Sequence, residues 1–222
     1  MQQEIHFWDM DHTVLNSDCD VSWKHFAIAR GLAPPDIMDT VDLYYQQYLD
    51  GVLDIDVFCD FQFAEYKGHT LEHVRAMCQD HYDNYVRPHI YREARARIDA
   101  QREAGALLCL ITATNRMIAE PVAAALGFEH LLATELEMVD GRFTAKRFGE
   151  YCIGPGKLPY MTRFCEAHGG SMANATYYGD SGNDIAIMQG IGHGIACNPS
   201  DSLRAAAEKE GWPIWEFDGE EG

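Results

Sequence analysis

Ile5-His6-Phe7-Trp8-Asp9-Met10-Asp11-His12-Thr13 decides how the rest of this 222-residue chain is read. The first four residues are apolar enough to form a buried strand. Residues at i and i+2 of an extended segment point to the same side, so the end of such a strand presents Asp9 and Asp11 together. Two carboxylates placed this way suit a hard, oxygen-binding cation, or a nucleophile with an acid/base beside it. Taken alone, the pentapeptide from Asp9 to Thr13 is equally an Asx-turn or the cap of a following helix.

The chain beyond it falls into two patterns. From about Asn16 to Val86 it reads as four short helices. Ser17 and Asp18 can cap the first, which runs from Val21 to Arg30 and stops at Gly31. The second spans Asp36 to Tyr48 and is closed by Asp50-Gly51; the third runs from Ile55 to Tyr66; the fourth from Thr70 to about Tyr85. Eleven aromatic residues here are read mainly as the core of a small bundle, with a few left to line a pocket.

From Pro88 onward helices and strands alternate. Tyr91–Ala104 is a charged helix, and Ala106–Ile111 an apolar strand ending at Thr112. Pro121 falls in the next helix and is expected in its first turn or at a kink. Leu131–Met138 and Arg142–Thr144 flank the hairpin signal Asp140-Gly141. Lys157 starts a helix, and the strand Ala175–Tyr178 ends in Gly179-Asp180-Ser181-Gly182-Asn183-Asp184. Further elements are Ile185–Met188, His193–Cys197, Ser202–Glu210 and Pro213–Phe217. The acidic end, residues 218–222, is expected to fray. The fold class is α/β: a Rossmann-like parallel sheet with helices on both faces, from residues 1–15 and 87–222, plus an inserted helical-bundle cap at 16–86.

In such sheets ligands bind at the carboxyl ends of the strands. There the pattern gathers Asp9, Asp11, Thr13, Thr112, Asp180, Asn183 and Asp184, with Lys157 at a helix start. These four segments, in this order, resemble the motifs of the haloacid dehalogenase superfamily, in its phosphoserine-phosphatase-like branch with a helical cap. The resemblance spans nearly the whole chain. It implies a Mg²⁺-dependent phosphomonoesterase acting on a small phosphorylated metabolite, phosphoserine-like first. Histidinol phosphate, phosphoethanolamine and phosphocholine are alternatives, as is a phosphotransferase using the same aspartyl-phosphate.

The residues allow the same chemistry. Asp9 is the expected nucleophile and Asp11 the acid and base. Thr112 and Lys157 hold the phosphoryl oxygens. The metal set is Asp9, Asp11 (through its carbonyl), Asp180 and Asp184, the last through water. Thr13, Ala113, Asn183, Asp18 and Arg116 are the expected substrate-side residues. Arg116 either faces the phosphate or pairs with Glu120 four residues on.

The sequence departs from the phosphoserine pattern at two places. Thr112-Ala113 stands where that branch usually has Ser-Gly. Asp18 and Asp20 stand at the cap entrance where a Glu is usual. Arg30 and Arg75 are the candidates for a substrate carboxylate.

Composition bounds the partners. Seventeen Lys and Arg stand against 35 Asp and Glu, a net charge of −18, which disfavours nucleic acid and anionic membranes. Seven scattered cysteines without a C-x-x-C pair read as reduced core thiols. With no signal peptide or membrane span in the sequence, a cytoplasmic monomer or homodimer is expected.

Overall fold

The computed structural model describes residues 4–49 and 52–221. The Asp50-Gly51 helix stop expected from the sequence lies outside them. A seven-stranded sheet has the order β4-β3-β2-β1-β5-β6-β7, with β1 at Ile5–Trp8, β2 at Leu107–Asn115, β3 at His130–Val139, β4 at Arg142–Phe148, β5 at Ala175–Gly179, β6 at His193–Cys197 and β7 at Ile214–Trp215. All pairs are parallel except β3–β4. That pair is the hairpin signalled by Asp140-Gly141, whose φ values of 50° and 74° are the two positive angles a tight primed turn needs.

The central strand is β1, registered with β2 through Phe7↔Cys109 and with β5 through Phe7↔Tyr177. Every residue of β1 is buried, because helices cover both faces; this is why it reads as a continuous apolar run. Phe7 joins Cys109, Met161 and Tyr177 in one core cluster, while Trp8 faces the other way, into a cluster with Leu110, Ile118 and Tyr178. The ladder carries on for one more bond, Asp9 N–H to the Tyr178 carbonyl at 3.0 Å. That bond sets Asp9 at the carboxyl edge, where β1 adjoins β5.

Between β1 and β2 the chain forms α1 (Cys19–Ala29), α2 (Ile37–Leu49), α3 (Ile55–Gln62) and α4 (Leu71–His81), then α5 (Arg92–Glu103). Asp18 caps α1 by accepting from Val21 N–H at 2.9 Å. Trp23, Phe26, Tyr66 and Val74 share one buried cluster with Leu110 and Ile118. The insert thus shares one core with the sheet. Two ion pairs, Arg147–Asp56 and Lys146–Asp60, also tether α3 to β4. After β2 come α6 (Arg116–Leu126), α7 (Lys157–Ala167), α8 (Ile185–Gly190) and α9 (Asp201–Glu210).

Three local expectations need correction. Strand β2 does not end at Thr112 but continues to Asn115 through a register shift after Ile111. Of the two places expected for Pro121, the first turn is excluded, because it sits in the interior of α6. The acidic end does not fray over its described part. The backbone of Gly219 accepts from Arg92 N–H, and Glu221 N–H donates to Ile90. Glu220 pairs with His89, and Glu221 with Arg95. The basic residues of the neighbouring segment supply the countercharge that composition alone could not reveal.

Candidate active site

Asp9, Asp180 and Asp184 bring one carboxylate oxygen each to within 4.8 Å of one another. Lys157, at the first position of α7, reaches this trio and donates to Asp9 Oδ2 at 2.6 Å, with Asp184 Oδ1 at 4.0 Å. Asp9 Oδ1 accepts from Met10 N–H at 2.8 Å. Three nearly buried carboxylates therefore face one buried ammonium. Burial, together with the charge of Asp184, pushes the Asp9 carboxyl up to about 6 despite Lys157. Burial and the charges of Asp9 and Asp184 push Asp180 well above the usual range. Burial pulls Lys157 down, but Asp9 and Asp184 more than offset that and hold it charged. An all-oxygen set with excess negative charge fits a hard divalent cation.

Asp184 is already satisfied by the protein. Its Oδ2 accepts from the Asp180 and Ser181 N–H groups at 3.1 and 3.0 Å, and its Oδ1 from the Tyr177 hydroxyl at 2.6 Å. The loop folds back so tightly that a Cβ on Gly179 would meet Asp184 Oδ2 at 2.6 Å; only glycine fits there. Asp180 is steadied by the Thr13 hydroxyl at 3.2 Å. Thr13 is fully buried and orients this carboxylate from below; it is not a wall of the substrate space.

The Asp11 carboxylate stands apart from the trio. Its two oxygens accept from Cys19 N–H at 2.8 Å and Thr114 Oγ1 at 2.7 Å. Thr112 is buried, and its Oγ1 accepts from Thr114 N–H at 3.1 Å.

A cavity of ≈ 610 Å³ opens over these groups. Asp9, Asp11, Thr112, Ala113, Lys157, Asp180, Asn183 and Asp184 line its floor, and the cap side contributes Asp18, Asp20, Gln62 and the rings of Tyr44, Tyr45, Tyr48, Phe58 and Phe61. Asn183 donates across to the Tyr48 hydroxyl. Asp20 is pushed up to about 8 by burial and by its neighbours Asp18 and Asp11; the same crowding raises Asp18.

Arg116 does not reach this space. It is held by Glu135 on β3, at 2.8 and 2.9 Å from Nε, so neither the phosphate nor Glu120 is its partner. Arg75 pairs with Glu120 instead, and Arg30 with Asp80, both at the surface. Two residues of the site were not singled out from the sequence. Thr114 carried a signal, being two residues from Thr112 on one strand. Tyr177 carried a weaker one: a buried tyrosine on a central strand needs a partner for its hydroxyl.

A model of the haloacid dehalogenase-like hydrolases matches residues 6–189. The chain belongs to this family. This hydrolase is 28% identical over 222 residues to a histidinol-phosphatase of Neisseria meningitidis, covering 97% of this chain and 99% of the relative. It is 30% identical over 220 residues to a phosphoserine phosphatase of Mycobacterium tuberculosis, covering 95% and 70%. A protein of unknown function from Bordetella pertussis has a crystal structure that superposes on this hydrolase with a TM-score of 0.89, at 28% identity and with 97% and 99% of the two chains covered. All seven cysteines are free and buried, and no helix among the described residues is long and apolar enough to cross a membrane.

Proposed function

We propose that this hydrolase is a Mg²⁺-dependent phosphatase for a small phosphate monoester that carries an amine, working in the cytoplasm through an aspartyl-phosphate. The observation that carries the reading is the meeting of Asp9, Asp180 and Lys157 on the floor of a capped cavity. Mg²⁺ held by Asp9 and Asp180 would offset the charge of phosphate and nucleophile alike. Asp9 attacks phosphorus. Asp11, held by Thr114 and by the start of α1, protonates the leaving alkoxide and later takes a proton from the hydrolytic water. Lys157 and Thr112 hold phosphoryl oxygens, and Asn183 completes that end of the site. Asp184 acts through the loop that it anchors.

Two substrate readings compete. The resemblance to phosphoserine phosphatases favours an amino acid ester. The cavity favours an amine without a carboxylate: Lys157 is the one Lys or Arg among its described lining residues, and it is committed to the phosphate end. A substrate carboxylate would sit among Asp11, Asp18 and Asp20, three acids with the His12 imidazole as the one basic side chain beside them among the described lining residues, which is costly. An ammonium or imidazolium would meet those acids and the aromatic wall of the cap.

A panel of phosphoserine, histidinol phosphate, phosphoethanolamine, phosphocholine and an aryl phosphate, read by phosphate release with Mg²⁺, tests this. An amine ester lacking a carboxylate is expected to exceed phosphoserine in kcat/KM by about tenfold or more. Phosphoserine leading the panel would restore the first reading. Undiminished aryl phosphate hydrolysis by Asp9→Asn would end both.

A further inference from the structure

The structure assigns Tyr177 as a positioning residue for the reaction proposed above, and the inference rests on that reading. Tyr177 lies on β5, directly beside Phe7 of β1. Its side chain is fully buried in the core, yet its hydroxyl ends among the charged groups of the floor. Three atoms surround that oxygen: Asp184 Oδ1 at 2.6 Å, Lys157 Nζ at 3.0 Å and Asp9 Oδ2 at 3.3 Å.

A hydroxyl has one proton to give and lone pairs to receive. An ammonium can only donate, so Lys157 takes a lone pair. The proton goes to the closer carboxylate, Asp184, leaving Asp9 at the longer distance. The result is a directed chain, Lys157 to Tyr177 to Asp184, in which each bond polarises the next.

The chain fixes two groups. Lys157 has three N–H bonds, and Asp9 and Tyr177 engage two of them. A tetrahedral ammonium held at two corners has its remaining N–H direction set, which is what a group receiving a phosphoryl oxygen needs. Asp184 has both oxygens held, Oδ1 by Tyr177 and Oδ2 by the backbone of residues 180–181. The hydroxyl therefore also braces the loop that carries Asp180. A phenyl ring would fill the core but would leave the ammonium and Asp184 Oδ1 short of a partner.

Tyr177→Phe removes one oxygen and keeps the ring. With an aryl phosphate and saturating Mg²⁺, kcat is expected to fall about 10- to 100-fold, with KM within about threefold of wild type. Calorimetric titration with Mg²⁺, without substrate, is expected to show binding weakened by a similar factor. A kcat within threefold of wild type together with unchanged Mg²⁺ affinity overturns the assignment. If wild type hydrolyses no ester at all, the phosphatase reading fails, and the calorimetric comparison alone decides the positioning role. If the Phe variant does not fold, 3-fluorotyrosine at 177 keeps the hydroxyl. Its ¹⁹F signal is expected to shift on addition of Mg²⁺ and again with vanadate, and a signal indifferent to both overturns the assignment.

Discussion

Thr114 and Asp11 are joined across the floor of the site by a 2.7 Å hydrogen bond from Thr114 Oγ1 to Asp11 Oδ2. The other Asp11 oxygen accepts from Cys19 N–H, at the start of α1. The proposed acid/base is thus fixed by one bond from the sheet and one from the inserted helices. Thr114→Val cuts the first and keeps the shape. A poor alkoxide leaving group depends on the acid more than a phenolate does. The variant is expected to lose about tenfold in kcat on an alkyl phosphate and much less on p-nitrophenyl phosphate. Equal losses on both substrates would contradict the role given to Asp11.

Metal and pH act on the same carboxylates. The Asp9 carboxyl is pushed up to about 6, chiefly by burial. Its folded-state value lies above the unfolded one, so the metal-free fold holds a proton that the unfolded chain releases. That contribution is complete below the ordinary carboxylate range and is lost as pH rises through about 6. Mg²⁺ replaces the lost proton as countercharge and stabilises by mass action. Melting curves at pH 5 and pH 7.5, each with and without Mg²⁺, are expected to show the larger metal-induced rise in Tm at pH 7.5. An equal rise at both, or none, would contradict the site.

Asp20 allows the proposed substrate choice to be tested apart from the chemistry. It is pushed up to about 8 by burial and by Asp18 and Asp11, so it weakens the fold as pH rises from the ordinary carboxylate range through about 8. Asp20→Asn mimics the protonated form. It is expected to be more stable than wild type at pH 8.5 by roughly 1 kcal/mol or more, read by urea unfolding. With amine-bearing esters assayed at pH 8.5, where wild-type Asp20 is charged, its kcat/KM is expected to drop about tenfold, while aryl phosphate turnover stays near wild type.

Arg116 provides the contrast. Its guanidinium is spent on Glu135, outside the cavity. Arg116→Ala is expected to leave kcat and KM unchanged on every substrate. The half-exposed ion pair contributes only about 0.5–1 kcal/mol to stability, measurable by urea unfolding. A tenfold rise in KM for phosphate esters would return Arg116 to the site.

The order of motifs along the chain was enough to anticipate the first strand, the edge at which ligands bind, and the gathering of Asp9, Thr112, Lys157 and Asp180. Asp9 and Asp180 follow strand ends and Lys157 starts a helix, and local periodicity reports such boundaries; Thr112 lies inside β2, where the apolar run rather than the strand stops. The helical character of the segment after β1 was legible for the same reason. Its aromatic residues divided as their spacing allowed, with Trp23, Phe26 and Tyr66 in the core and Tyr44, Tyr48 and Phe58 on the cavity wall.

What only the tertiary structure decided is which partner each polar atom has. Arg116 had Glu120 in reach along its own helix and found Glu135 across the sheet instead. Thr13 turned beneath the floor to hold Asp180, and the acidic end found Arg92, Arg95 and His89. The hydroxyl of Tyr177 became the junction of Lys157, Asp9 and Asp184 because β5 lies beside β1, a pairing that joins residues 168 positions apart. Periodicity records which face a residue occupies. Hydrogen-bond partners depend on distances of a few tenths of an ångström between strands remote in sequence, and those are fixed only when the core packs.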